Sequence, residues 1–369
     1  MSLRTDIFSD TQNRLWDDHR LRQLTYNAVS STRVFPENFE ITRVAGMTPT
    51  RISVTQERTL DAARRLYFAQ GREMPTGFGV RLPKHIAILN FANAVNPGGG
   101  VVYGADAQEE SICRASNLYP CLTKPDVFGD FYNYHNQKDF YFSDRVIYSE
   151  NVCIFKDENG AMLDESQWVF ADVITCAAPN LNGVMEPDIT KLEKVMNSRI
   201  RNILSLAEAH GVHTLVLGAF GCGAFMNPPE VVAQAFAWQL MNGDFRNTFR
   251  EVVFAIKADD QRGYYNFQVF SDYLYSLSDE EASRALSRRG KPEKWKGAQS
   301  ADRQSAGVGS LLLLITILCV FLAVGFGVLF GVGLYLDWFG HALLACLMGI
   351  LPGIFVGMAI LFAWQYFKG

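Results

Sequence analysis

Residues 308–336 pass without one charged side chain, and residues 341–367 repeat the pattern. At about 1.5 Å of rise per residue, each run exceeds the roughly 20 apolar residues that span a bilayer as a helix. Asp337, Trp338, Phe339 and Gly340 make a short polar and aromatic turn between them. Tyr335, Trp338, Trp364 and Tyr366 fall near the ends of the runs, where amphipathic rings favour the membrane interface. The tail therefore reads as a transmembrane helical hairpin in a lipid bilayer. Arg284, Arg288, Arg289, Lys291, Lys294, Lys296 and Arg303 precede it and Lys368 follows it, whereas the turn carries no Lys or Arg. The positive-inside bias places both ends, and the body before them, on the cytosolic side. Gly327 and Gly331, and Gly349, Gly353 and Gly357, recur at a spacing of four. Such small residues let helix backbones approach, either within the hairpin or between copies.

This divides the chain into a body over 1–277, a basic linker over 278–307 and the hairpin over 308–367. The formal net charge is −4, and the conspicuous basic stretch lies in the linker. A nucleic-acid binder carries its basic face on the folded domain, so no nucleic-acid partner is expected. The seven cysteines form no CxxC pair, which argues against a zinc or dithiol motif and suits reduced thiols. No metal and no cofactor are expected.

Within the body, helical spacing marks 12–31, 58–70, 188–210, 229–241 and 263–277, with Gly71 as a C-cap of the second. Apolar or β-branched runs mark strands at 51–55, 85–91, 170–176, 214–217 and 251–256, with two strand-like runs in 145–155. Continuous apolar strands imply a sheet covered on both faces. Their alternation with helices implies an α/β sandwich with a largely parallel sheet. Ligands of such folds bind beyond the carboxyl ends of the strands, which directs attention to three loops.

The loop after 85–91 holds Asn93, Asn96 and three successive glycines, Gly98, Gly99 and Gly100. Such a turn permits positive φ and exposes amides able to cradle phosphate or sugar. Seven residues separate it from Gln108, Glu109 and Glu110. Two carboxylates at a helix start are stabilised by the dipole, and beside a bound sugar one of them can serve glycosidic cleavage. The loop after 214–217 holds Gly221, Cys222, Gly223, Ala224 and Phe225 ahead of Pro228 and Pro229. Strand, glycine turn and helix start make an anion site of amides and dipole. Neither a Walker sequence nor GxGxxG is present, so nucleotide hydrolysis and dinucleotide binding are disfavoured.

The stretch from Asn90 to Ala94, the three glycines and Gln108-Glu109-Glu110 resemble the signature of bacterial-type poly(ADP-ribose) glycohydrolases. Ala178-Pro179-Asn180 and the Gly-Cys-Gly-Ala-Phe loop are similar to that family too. The resemblance covers residues 10–277 and implies a macrodomain-like three-layer α/β sandwich with a mixed sheet and an ADP-ribose cleft. It implies that Glu110 is the catalytic glutamate and that Glu109 contacts ribose hydroxyls. Gly98, Gly99 and Gly100 are implied around the distal ribose and diphosphate, Asn93 and Asn96 at the ribose, and Gln108 among the ADP-ribose contacts. Gly221, Cys222, Gly223 and Ala224 are implied around the diphosphate, with Phe225 against the ribose. Phe267 and Phe270 are set against the adenine.

The expected function is an ADP-ribosyl glycohydrolase, an integral membrane protein with its catalytic domain in the cytosol. Its expected partners are ADP-ribosylated proteins, membrane proteins among them, and its product is ADP-ribose. The alternatives are a non-catalytic ADP-ribose reader and a scaffold that assembles through its tail glycines. His210 and His213 are read as helix-end or surface residues. The aromatic segment 128–142 is read as packing on the core.

Overall fold

Seven strands form one mixed sheet among the described residues of the computed structural model, which are 3–39, 49–69 and 86–276. In chain order they are β1 (Arg33–Phe35), β2 (Arg51–Thr55), β3 (Ile86–Phe91), β4 (Val146–Ile154), β5 (Val169–Cys176), β6 (Thr214–Leu217) and β7 (Glu251–Ala255). In space the order is β1-β4-β5-β3-β6-β7-β2. β2, β3, β5, β6 and β7 run parallel, and β4 pairs antiparallel with both β1 and β5. This is the mixed sheet implied by the resemblance.

Both faces of the sheet are buried, and the strands alternate between two cores. Ala87, Leu89, Ile174, Leu215, Leu217, Val252 and Phe254 join one cluster. Ile86, Ile88, Val173, Val216 and Val253 join the other. The first core is closed by α7 (Ile189–Ala209), α8 (Pro229–Ala237) and α9 (Gln261–Ser276). The second is closed by α1 (Leu3–Asp17), α2 (His19–Ser31), α3 (Thr59–Ala69), α4 (Gln108–Ala115), α5 (Leu118–Leu122) and α6 (Pro125–Val127). Three layers result, because each strand offers apolar side chains to both sides.

Four local expectations change. The single helix expected over 12–31 is two helices, because the Asp18 carboxylate accepts from the amides of Arg20 (2.8 Å) and Leu21 (2.9 Å) and caps α2. A side chain so used ends one helix and starts the next. The two runs in 145–155 are one strand interrupted by a bulge between Ser149 and Val152. There Asn151 adopts φ +52° and its amide donates to Asp172 at 2.8 Å. α8 ends at Ala237 and continues as a π-turn over Trp238–Asn242. The edge strand β1, three residues long, was not anticipated.

His210 closes α7 and stacks on Tyr148 with ring centroids 3.7 Å apart, in keeping with a helix-end role. Gly71, the linker and both apolar runs lie outside the described residues. Among the described residues no helix is long and apolar enough to cross a membrane.

Candidate active site

A cleft of about 450 Å³ opens beyond the carboxyl ends of β3, β6 and β7. Its size falls within the roughly 300–1,000 Å³ of small-molecule sites. Phe91, Ala92 and Asn93 line it from the first loop, Ala178 from the second, and Gly221, Gly223, Ala224 and Phe225 from the third. Gln108, Glu109 and Glu110 enter from the start of α4.

The two carboxyl groups are buried, Glu109 at 2% exposure and Glu110 at 6%. Glu110 accepts from the backbone amide of Gly100 (2.9 Å) through one oxygen and from that of Ala107 (3.1 Å) through the other. Glu109 accepts from the amide of Asn93 (2.8 Å) and from the Asn90 side chain (3.3 Å). Burial raises the Glu109 carboxyl to about 8, the neighbouring Glu110 adds to the rise, and the amides of Asn93 and Gly98 pull it back. Glu109 therefore keeps its proton at neutral pH.

The triple glycine has a steric cause. Gly98 and Gly99 take φ of +68° and +60°. A Cβ on Gly99 would overlap the Glu110 carboxylate and lie 3.2 Å from Glu109. A Cβ on Gly98 would meet Tyr119 at 2.8 Å, and one on Gly100 would meet Ala105 at 2.8 Å. The turn thus backs the carboxylates at van der Waals range, and no other residue permits that approach.

The third loop is built the same way. Gly221 has φ +72°, and a Cβ there would overlap Ala178. The Asn227 side chain donates to the carbonyls of Pro179 (2.7 Å) and Gly221 (3.0 Å), and its amide donates to Gly221 at 3.1 Å. It ties the second and third loops together. Among the described residues, the amides of Gly223, Ala224 and Phe225 are not spent on other backbone carbonyls. All three residues line the cleft, and amides so placed suit an anion.

The expected residues take different places. Glu109, Glu110, Asn93, Gln108, Gly221, Gly223, Ala224 and Phe225 all line the cleft. Gln108 spends its amide on β3, accepting from Phe91 N (2.8 Å) and donating to Leu89 O (2.7 Å); it fixes the start of α4 to the strand end. The Asn93 side chain accepts from the amides of Val95 and Asn96, each at 2.9 Å, and shapes the first loop. Asn96 is exposed and outside the cleft lining. Cys222 is 4% exposed, its thiol faces the Phe220 carbonyl, and burial pushes its pKa well up. Phe270 is fully buried against Phe254, and Phe267 packs on the same core. Both are expected against the adenine, and the turn of α9 sends Asn266 to the cleft instead.

Asn90, Asn227, Arg58 and Glu158 were missed. Asn90 had a signal, a lone amide inside an otherwise apolar strand, and it is fully buried between Glu109 and Thr175. Arg58 and Glu158 meet at the cleft wall, 3.4 Å apart, from segments a hundred residues distant.

The raised Glu109 carboxyl has a consequence for stability. Its folded value of about 8 lies above the usual 4.5, so between these values the folded state holds a proton that the unfolded chain has released. Stability falls as pH rises through this window, by up to about 5 kcal/mol if the whole shift is expressed. Glu109→Gln removes that dependence. Its melting temperature relative to the parent protein should be several degrees more favourable at pH 8 than at pH 5. An equal difference at both pH values would refute the assignment.

The chain has relatives among known proteins. Residues 9–157 match the model of the microbial-type PARG catalytic domain, PARG being poly(ADP-ribose) glycohydrolase. No curated protein matches the chain. Among solved structures, it is similar to poly(ADP-ribose) glycohydrolase from Thermomonospora curvata. The two are 32% identical over 73% of this chain and 98% of that one, with a TM-score of 0.63. The same protein bound to the inhibitor ADP-HPD gives 33% identity over 73% and 98%, with a TM-score of 0.60. The Deinococcus radiodurans glycohydrolase in complex with ADP-ribose gives 30% identity over 69% and 97%, with a TM-score of 0.58. The chain belongs to the microbial-type PARG family and is a glycosidase.

Proposed function

We propose that the protein removes ADP-ribose from modified proteins, as polymer or as single units, by hydrolysis at the anomeric carbon of the ribose. The observation that carries this reading is the placement of Glu110. Its carboxyl group is buried, held at both oxygens by backbone amides, and set against a triple-glycine turn at the head of a cleft. The relatives above are bound to ADP-ribose and to ADP-HPD in the same fold. The diphosphate lies on the amides of the 221–225 loop, with the ribose between Phe225 and the two glutamates. Glu110 donates a proton to the leaving oxygen as the C–O bond breaks through an oxocarbenium-like transition state. It then takes a proton from the water that attacks the same carbon. Protonated Glu109 donates to a ribose hydroxyl, a role its proton permits at neutral pH.

We further propose that the apolar runs 308–336 and 341–367 tether this domain to the cytosolic face of a membrane. The support is their length, their lack of charge and the basic residues that flank them. A tether raises the effective concentration of enzyme over membrane-bound substrates, so ADP-ribosylated membrane proteins are the natural targets. The test uses the full-length protein and its Glu110→Gln variant on poly(ADP-ribose) and on serine-, glutamate- and arginine-linked mono-ADP-ribosyl proteins. Flotation with phospholipid vesicles is measured beside it. Release by the parent protein alone, with flotation that survives high salt, is expected. Binding of ADP-ribose without release from any substrate would make the protein a reader, and failure to float would remove the tether.

A further inference from the structure

The segment between the glycine turn and α4 is a short strap, residues 101–107, that folds back on itself. It supplies one of the two amides on Glu110, from Ala107, and it braces the other, because the Ala105 amide donates to Gly100 O at 3.2 Å. Its position therefore sets both hydrogen bonds to the carboxylate. Backbone alone does not fix such a strap, and side chains from two helices close on it.

Arg114 stands four residues beyond Glu110 on α4 and is 6% exposed. Its guanidinium donates to the Ala105 carbonyl, to Asp106 at 2.8 Å and to Ser111 at 3.2 Å. Asp106 in turn accepts from Arg4 of α1 at 2.6 Å. The Arg114 carbonyl accepts from Thr11 on α1. A buried, always charged fork that contacts a carbonyl and a carboxylate together is a rigid element.

We infer that Arg114 is a positioning residue for the reaction, holding the strap through Ala105 and Asp106 so that Gly100 and Ala107 present their amides to Glu110. Arg114 has no place in the cleft lining, so it acts through Glu110 and not on the sugar. The inference rests on the reading of Glu110 as the catalytic residue. It predicts a loss of a particular kind. When the strap loosens, the carboxyl group loses its alignment with the leaving oxygen, while the loops that bind diphosphate keep theirs. A displacement of about 1 Å at a reacting group costs on the order of 100-fold in rate.

The test compares full-length parent protein, Arg114→Met, Arg114→Lys and Glu110→Gln on poly(ADP-ribose), with ADP-ribose affinity measured by calorimetry. Arg114→Met should lower kcat by about 10- to 100-fold and leave the Kd for ADP-ribose within about threefold. Arg114→Lys should recover only part, since one ammonium cannot span Ala105 and Asp106. The charged and titratable groups around Glu110 are Glu109, Asp106, Cys113 and Arg114, with Arg4 reaching in from α1. A kcat within twofold of the parent, or affinity and kcat lost in equal measure, would overturn the inference. If Arg114→Met fails to fold, Arg114→Lys decides by the same two readouts, because it keeps a cation at the buried position and loses only the fork. Activity retained by Glu110→Gln would instead sink the underlying reading, whatever Arg114 does.

Discussion

Gly99→Ala abolishes turnover by the full-length protein and lowers its melting temperature by roughly 3–10 °C. Two separate effects act at this position. At φ +60° an alanine pays for a backbone conformation it rarely adopts, about 1–3 kcal/mol. Its methyl group would also occupy the place of a Glu110 oxygen. The carboxyl group must swing out of its amide pair, and a loss of at least about 100-fold in kcat follows. Gly211→Ala separates the two effects. Gly211 has φ +69° with nothing within 4 Å of the added Cβ, and it follows α7, far in the fold from the glutamates. It should show a comparable drop in melting temperature with turnover unchanged. Equal activity losses in the two variants would mean that the glycine matters for folding alone.

Glu110→Gln lowers kcat by about 10³-fold, within the range expected for loss of general acid–base catalysis, and leaves ADP-ribose bound. The amide side chain matches the carboxyl group in size but has no acidic proton to give the leaving oxygen. It also brings an NH₂ group against either the Gly100 or the Ala107 amide, both of which are donors. On the proposed reading binding survives, because the 221–225 loop and the walls of the cleft are untouched. Glu109→Gln should be far milder in turnover, since Glu109 already carries a proton at neutral pH and glutamine keeps a donor in its place.

The parts of this molecule legible in the sequence are those where one local cause dominates. β3, β5, β6 and β7 were visible because each is apolar on both faces. The triple glycine was visible because its requirement for φ near +60° leaves no substitute. α1 and α2 merged into one helix because the periodicity runs through Asp18, whose capping bonds lie outside any hydrophobic pattern. Single residues whose role depends on another segment were hidden. Phe267 and Phe270 share α9 with Asn266, and only packing against α8 and β7 decides which of them reaches the cleft. Arg58 and Glu158 form their pair across a hundred residues of chain. Glu109 and Glu110 stood out as a pair, but their difference did not. It lies in burial and partners: Glu109 sits deeper, among the Asn90 side chain and the amides of Asn93 and Gly98, whereas the amides of Gly100 and Ala107 hold Glu110.

The most direct test of the central claim is the release of ADP-ribose from poly(ADP-ribose) by the full-length protein, quantified by chromatography beside Glu110→Gln and with ADP-ribose binding measured for both. Free ADP-ribose from the parent protein, at least about 100-fold less from the variant, and similar binding by the two are the results predicted. Equal release from both proteins, or binding with no release from either, would contradict it.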